Sequence, residues 1–133
     1  MPDRHQAGGW YRRVLGLEVV PEYEHWAEDP RGPLMISSDG GNTKLALFQG
    51  TPQRSRETAG FYRVAFQVDA AAFVSFVNRL PSLDLTDHGG QRVHARSVVD
   101  HRAAYSIYFS DPFGHRLELT TYEYDQATRM LRG

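Results

Sequence analysis

The chain carries the same order of signals twice. Asp3 and Asp69 each precede a run of apolar residues at helical spacing, about 66 residues apart. Asp39 and Asp111 each open a turn between two short strand-like runs, about 72 residues apart. Such a duplication predicts two copies of one small α+β module sharing the 133 residues. At this size about 68% of the unfolded surface can be buried, so a core forms without crosslinks. None are available, because cysteine is absent. That also excludes thiolate catalysis and Cys-ligated zinc or iron–sulfur centres.

The modules can be followed residue by residue. The first helix runs from Asp3 to about Leu15, with Trp10, Tyr11, Val14 and Leu15 on one face, and Gly16 ends it. Gly8 and Gly9 weaken its middle. Residues 17–23 read as a strand and 25–33 as a polar loop. Residues 34–38 and 43–49 are short strands around the turn Asp39-Gly40-Gly41-Asn42. Residues 51–60 form a polar linker between module one (1–50) and module two (61–123), and 124–133 a polar, helical or frayed tail. In module two, 61–68 is a strand and Asp69 caps a helix to about Leu80. A loop from Pro81 to Gly90 and a strand over 91–99 follow. The last two strands, 105–110 and 115–122, flank Asp111-Pro112-Phe113-Gly114. Module two thus reads β-α-β-β-β and module one α-β-β-β. The expectation is a first module lacking its N-terminal strand, which leaves a sheet edge to be covered. Either the natural start lies upstream of Met1 or the protein dispenses with that strand.

Charge is balanced, with 15 Lys+Arg against 16 Asp+Glu, so there is no global case for nucleic acid or an anionic membrane. The first residues lack an apolar segment, and no run approaches a membrane span. A cytoplasmic protein is expected.

Three segments together resemble a known family. Trp10-Tyr11-Arg12-Arg13-Val14-Leu15-Gly16-Leu17-Glu18-Val19-Val20 is similar to the "FYxxVLGLxxV" segment of vicinal-oxygen-chelate proteins. Val64-Ala65-Phe66-Gln67-Val68-Asp69 resembles their "HVAFxVD" strand. Asp100-His101 with Tyr108-Phe109-Ser110-Asp111-Pro112-Phe113-Gly114-His115-Arg116-Leu117-Glu118-Leu119 resembles "DH…YFxDPDGHxLEL". The likeness spans roughly residues 3 to 123 and is nearest to the glyoxalase, bleomycin-resistance and catechol-dioxygenase-like branches. It implies paired βαβββ modules forming a cupped mixed sheet around a pocket, often in a homodimer.

In metal-using relatives the ligands come from the first and last strands of each module. By that resemblance the positions here are one absent from the chain, then Ala46, Arg63 and Glu118. Only Glu118 can bind a metal. One carboxylate does not make a site for Fe, Mn, Ni or Zn, so no cofactor is expected. Strand alternation directs Val64, Phe66, Val68, Ile107, Phe109, Leu117 and Leu119 towards the helices. It directs Arg63, Ala65, Gln67, Ser106, Tyr108, Arg116, Glu118 and Thr120 towards the cup.

Each candidate has a plain reading beside the functional one. Glu118 is a pocket acid or a partly solvated carboxylate. Arg63 neutralises Glu118 or contacts a ligand carboxylate or phosphate. Tyr108 matches a pocket tyrosine of the dioxygenase-like relatives or simply fills the cup. His101 matches a proton-moving turn histidine or is a solvated turn residue. Arg92, His94 and Arg96 form an anion-attracting wall or a solvated edge. Trp10 and Tyr11 are core, and Trp26 is a lid or interface anchor. His5, His25, His88 and His115 show no paired spacing and receive no role. The leading expectation is a metal-free small-molecule-binding or degenerate relative, with Arg63, Tyr108, Glu118, His101, Ala46 and Phe48 around the ligand. The alternatives are a metal-dependent dioxygenase-like or glyoxalase-like enzyme using Glu118, and a metal-free enzyme using Tyr108, His101 and Glu118 as acid–base groups.

Overall fold

Asp3 starts the first helix as its sequence position suggests. Its carboxylate accepts the backbone N–H groups of His5 and Gln6, both at 3.0 Å, and α1 runs Arg4–Leu15. Gly16 closes it at φ 71°, a left-handed conformation that costs other residues a Cβ clash. Gly8 lies where a Cβ would meet Leu34 Cδ2 at 2.9 Å, so the residue that weakens α1 also lets the sheet approach. In this computed structural model the chain divides into two compact units, Met1–Thr58 and Ala59–Gly133. Residues 3–50 and 63–133 are described, and the linker expected over 51–60 lies outside them.

The first unit places α1 on an antiparallel sheet ordered β1 (Glu18–Val19), β2 (Leu34–Ser37), β3 (Leu45–Leu47). The strand expected over 17–23 is cut to two residues. Pro21 instead occupies the first turn of a 3-10 helix, Pro21–Glu28, where its fixed φ and missing N–H fit. Residues 25–28 are therefore helical, not loop. Arg4 is 4% exposed and fastens this region, its guanidinium donating to the carbonyls of Ala27, Pro30 and Gly32. The turn at Asp39 forms as expected. The Thr43 backbone N–H and the Ser37 hydroxyl hold the Asp39 carboxyl below its ordinary value.

The second unit is one mixed sheet backed by helices. Its strands are β4 (Arg63–Gln67), β5 (Val99–Asp100), β6 (Tyr105–Ser110) and β7 (Arg116–Thr121), in the order β4-β7-β6-β5. β4 is parallel to β7, and the other pairs are antiparallel. α2 (Ala70–Leu83) starts at Asp69, which caps the Ala72 N–H at 2.8 Å. Its Phe73, Phe76 and Leu80 bury against Ile107, Phe109, Leu117 and Leu119, with the Phe76 and Phe109 rings 5.5 Å apart. α3 (Tyr124–Arg132) packs on α2, so the tail is an ordered element.

Three expectations fail here for local reasons. α2 continues through Pro81 because Leu83 is buried, and it stops only at Asp84, φ 56°. The strand over 91–99 breaks after an isolated bridge at Arg92. His94 then accepts the Arg96 N–H and Ser97 the His94 N–H, closing a 3-10 turn at Ala95–Ser97. Val64 is 44% exposed and does not join the core, because β4 is an edge strand paired with β7 alone among the described residues. Among the described residues no helix is long and apolar enough to cross a membrane.

Candidate functional site

The side chains on the far face of the second sheet come from three adjacent strands. Tyr108 on β6 stands directly opposite Glu118 on β7, and Ala65 on β4 lies beside Glu118 on its other flank. Arg63, one pleat along β4, reaches across: its Nε is 3.1 Å from Glu118 Oε1, and its guanidinium carbon lies 4.7 Å from the centre of the Tyr108 ring. That geometry combines an ion pair with a cation–π contact. The second carboxylate oxygen of Glu118 accepts the Ser106 hydroxyl at 2.8 Å. Thr120, next along the same face, donates to the Tyr105 carbonyl at 3.0 Å.

His101 joins from the turn after β5. Its backbone N–H donates to Ala104 O, Arg102 takes φ 66°, and Asp100 accepts the Arg102 N–H. The turn thereby brings His101 Nε2 to 3.0 Å from the Tyr108 hydroxyl. Glu118, Arg63, Tyr108 and His101 form one continuous string of contacts. The Tyr108–His101 end offers a donor and an acceptor for a ligand hydroxyl or carboxylate.

Below this string lies an open cavity of about 250 Å³, lined by Arg63, His88, Tyr108, Phe109, Arg116 and Leu117. Arg116 Nη2 is 2.5 Å from His88 Nε2. Ala46 and Phe48 belong to the first unit, on and just past β3. Both are exposed, Phe48 at 54%, and neither carries a polar side chain. The wall expected from Arg92, His94 and Arg96 does not form as one surface. Arg92 is committed to Asp84 at 2.6 Å, and His94 is spent on its own turn. Trp26 is 41% exposed with Tyr23 against it, ring centres 4.5 Å apart.

A family profile described as the glyoxalase/bleomycin resistance protein/dioxygenase superfamily matches residues 2–119. The chain belongs to this superfamily. A curated relative, biphenyl-2,3-diol 1,2-dioxygenase 3 of Rhodococcus globerulus, is 31% identical over 114 residues. The match covers 83% of this chain and 53% of that protein, so the chain spans about half of its relative's length. Among solved structures, Oxidase ChaP-H2 superposes with a TM-score of 0.65 at 23% identity, covering 96% of this chain and 91% of its own. The fosfomycin resistance protein FosX of Listeria monocytogenes gives 0.61 at 14% identity, covering 96% and 90%. At these identities the two structures speak for the fold.

Membership raises the question of a metal. Among the described residues no group of three His, Asp or Glu side chains comes together. Glu118, the one ligand-type residue at a family position, has one oxygen on a permanent cation and the other on a hydroxyl. A guanidinium within about 5 Å also repels a divalent ion. This donor set does not fit one. The sheet alternation singled out Arg63, Tyr108 and Glu118, and the Asp100-His101 turn singled out His101. His88 gave no signal, because its neighbour Arg116 lies 28 positions along the chain.

Proposed function

We propose that the protein is a metal-free, small-molecule-binding member of the superfamily, holding its ligand on the second sheet against Tyr108 and His101. The observation that carries this is the state of Glu118: both oxygens are engaged within the protein, while the adjoining cavity is open. Arg63 supplies in place of an ion the positive charge that keeps the carboxylate on a half-buried sheet face. The test is elemental mass spectrometry after incubation with Fe²⁺, Mn²⁺, Ni²⁺ or Zn²⁺ and desalting. The expected result is no stoichiometric metal. About one metal per chain, lost in Glu118→Ala, would overturn the reading.

A metal-dependent dioxygenase-like activity is the second reading, favoured by the 31% identity to a biphenyl-diol dioxygenase. It requires ligands beyond Glu118, and the same metal measurement decides it. We also propose a homodimer. It is supported by the open edge of β4 and the exposure of Val64.

A further inference from the structure

The turn that carries His101 has little of its own to hold it. It leaves β5, an edge strand of two residues whose register pairs are Val99 with Ser106 and Asp100 with Tyr105. A strand this short contributes few ladder bonds and opens readily. Arg102 adds to the burden, since φ 66° is disfavoured for a residue with a Cβ. His101 is itself exposed, so packing does not fix its ring. Yet its Nε2 lies 3.0 Å from the Tyr108 hydroxyl, with the two rings edge to face at 88°. The support for that geometry comes from outside the turn.

A single carboxylate joins the turn to α3. Asp100 Oδ1 accepts the Arg102 N–H at 2.7 Å, which offsets the cost of the left-handed residue. Asp100 Oδ2 accepts the Tyr124 hydroxyl at 3.0 Å. Tyr124 is in turn firmly seated. Its ring stacks on Tyr105, the register partner of Asp100, with centres 4.8 Å apart and planes 10° from parallel. The Tyr105 hydroxyl meets Thr128 Oγ1 at 2.7 Å, one turn further along α3. The helix is anchored to the rest of the unit by buried Ala127 and by Glu123, which accepts the Ala70 N–H at 2.8 Å. The Tyr124 hydroxyl thus fixes the rotamer of Asp100, and Asp100 fixes the backbone that aims His101.

We propose that Asp100 and Tyr124 are positioning residues, through which α3 holds His101 on the Tyr108 hydroxyl. Neither residue lines the cavity. The inference rests on the reading that a ligand sits against Tyr108 and His101, and adds the element that sets the spacing of those two groups. A pair fixed in advance loses less conformational freedom when a ligand arrives, so the positioning serves affinity.

The test is nuclear magnetic resonance of the ¹⁵N-labelled full chain. It reads the imidazole nitrogens of His101 with the ring neutral, at the alkaline plateau of its titration, and His101→Gln assigns the signal. A ring held on Tyr108 keeps one tautomer, so its two nitrogens resonate far apart. A released ring exchanges tautomers, and the two signals draw together. The wild-type chain is expected to show the wide separation. Tyr124→Phe keeps the stacked ring, loses only the bond to Asp100, and should narrow it. Asp100→Ala should narrow it further, because Arg102 also loses its acceptor. Asp100→Asn keeps an oxygen for Arg102 and an amide group for the Tyr124 hydroxyl, and should recover most of the separation. Thr128→Val severs another bond of α3 without touching Asp100, and should leave the wild-type value. A narrow separation in the wild-type chain, an unchanged one in Tyr124→Phe, or equal narrowing in Thr128→Val would each overturn the inference. Phenol, titrated into the same samples, should shift the Tyr108 resonances and bind several-fold more weakly to Tyr124→Phe, the step one lost hydrogen bond supplies. Equal phenol affinity in the two chains would also overturn it. Phenol that leaves Tyr108 unmoved in every sample would sink the ligand reading, while the imidazole signal still decides the positioning.

Discussion

Arg63 and Glu118 share one ion pair but do not depend on it equally. The Arg63 side chain is 42% exposed and Glu118 only 14%. Without its partner, Arg63 can still turn to water. Without Arg63, the carboxylate keeps, among the described residues, a single donor, Ser106, in a place where water reaches poorly. Arg63→Ala should therefore cost about 1–3 kcal/mol, the penalty of an under-satisfied charged group. Glu118→Gln should cost less, because the amide still accepts from Ser106 and the pair is partly screened. Urea unfolding of both variants measures the difference. Equal losses, or a larger loss for Glu118→Gln, would show that burial does not set the asymmetry. The identities of these residues were legible in the sequence because strand alternation places polar residues between leucines on one face. Their partnership was weighed there only as one option, since the diagonal reach from β4 to β7 needs the register of a parallel pair.

At the scale of elements, local signals are legible in the sequence and long-range ones are not. Asp3, Gly16 and Asp69 bound their helices because a cap is a property of neighbouring residues. The length of α2 past Pro81 and the breaking of the strand at residues 91–99 are decided by burial of Leu83 and by the His94 turn, which spacing does not carry. The tail is the clearest case. α3 is polar in composition, yet specific contacts bind it: Glu123 caps the α2 N–H of Ala70 at 2.8 Å, Tyr105 OH meets Thr128 at 2.7 Å, and Tyr124 stacks on Tyr105 with ring centres 4.8 Å apart. Tyr124 also donates its hydroxyl to Asp100 at 3.0 Å, and that bond is the largest cause pushing its pKa from 10.0 up to about 12. A raised phenol pKa means the folded state favours the protonated form. The stabilisation is whole below pH 10 and is lost as pH rises through about 12. Ultraviolet titration should show one tyrosine ionising late, and Asp100→Asn should bring it back towards 10. An unchanged titration in that variant would remove Asp100 as the cause. Asp100 begins the turn that carries His101, so this bond ties α3 to the turn beside the candidate site.

At the scale of the whole molecule, the duplicated pattern leaves β4 with an unfilled role. It is a five-residue strand, paired on one side with β7, and among the described residues nothing pairs with its other side. Such an edge invites another strand, and this one carries neither proline nor lysine to blunt it. A second copy fits by symmetry. In an antiparallel pairing of two β4 strands about Ala65, Arg63 falls opposite Gln67, so no like charges meet, and Val64 falls opposite Phe66. The arrangement would place an apolar pair twice at the junction and give the 44% exposed Val64 a neighbour. Light scattering at micromolar concentration should therefore report the mass of two chains. Val64→Lys puts a charge into the apolar pair while leaving the monomer intact, because the residue is already exposed, and should weaken association by about ten-fold or more. A wild-type protein that is only monomeric would remove the homodimer. A dimer untouched by Val64→Lys would place the contact elsewhere than on β4, and the open edge would then need another partner to explain it.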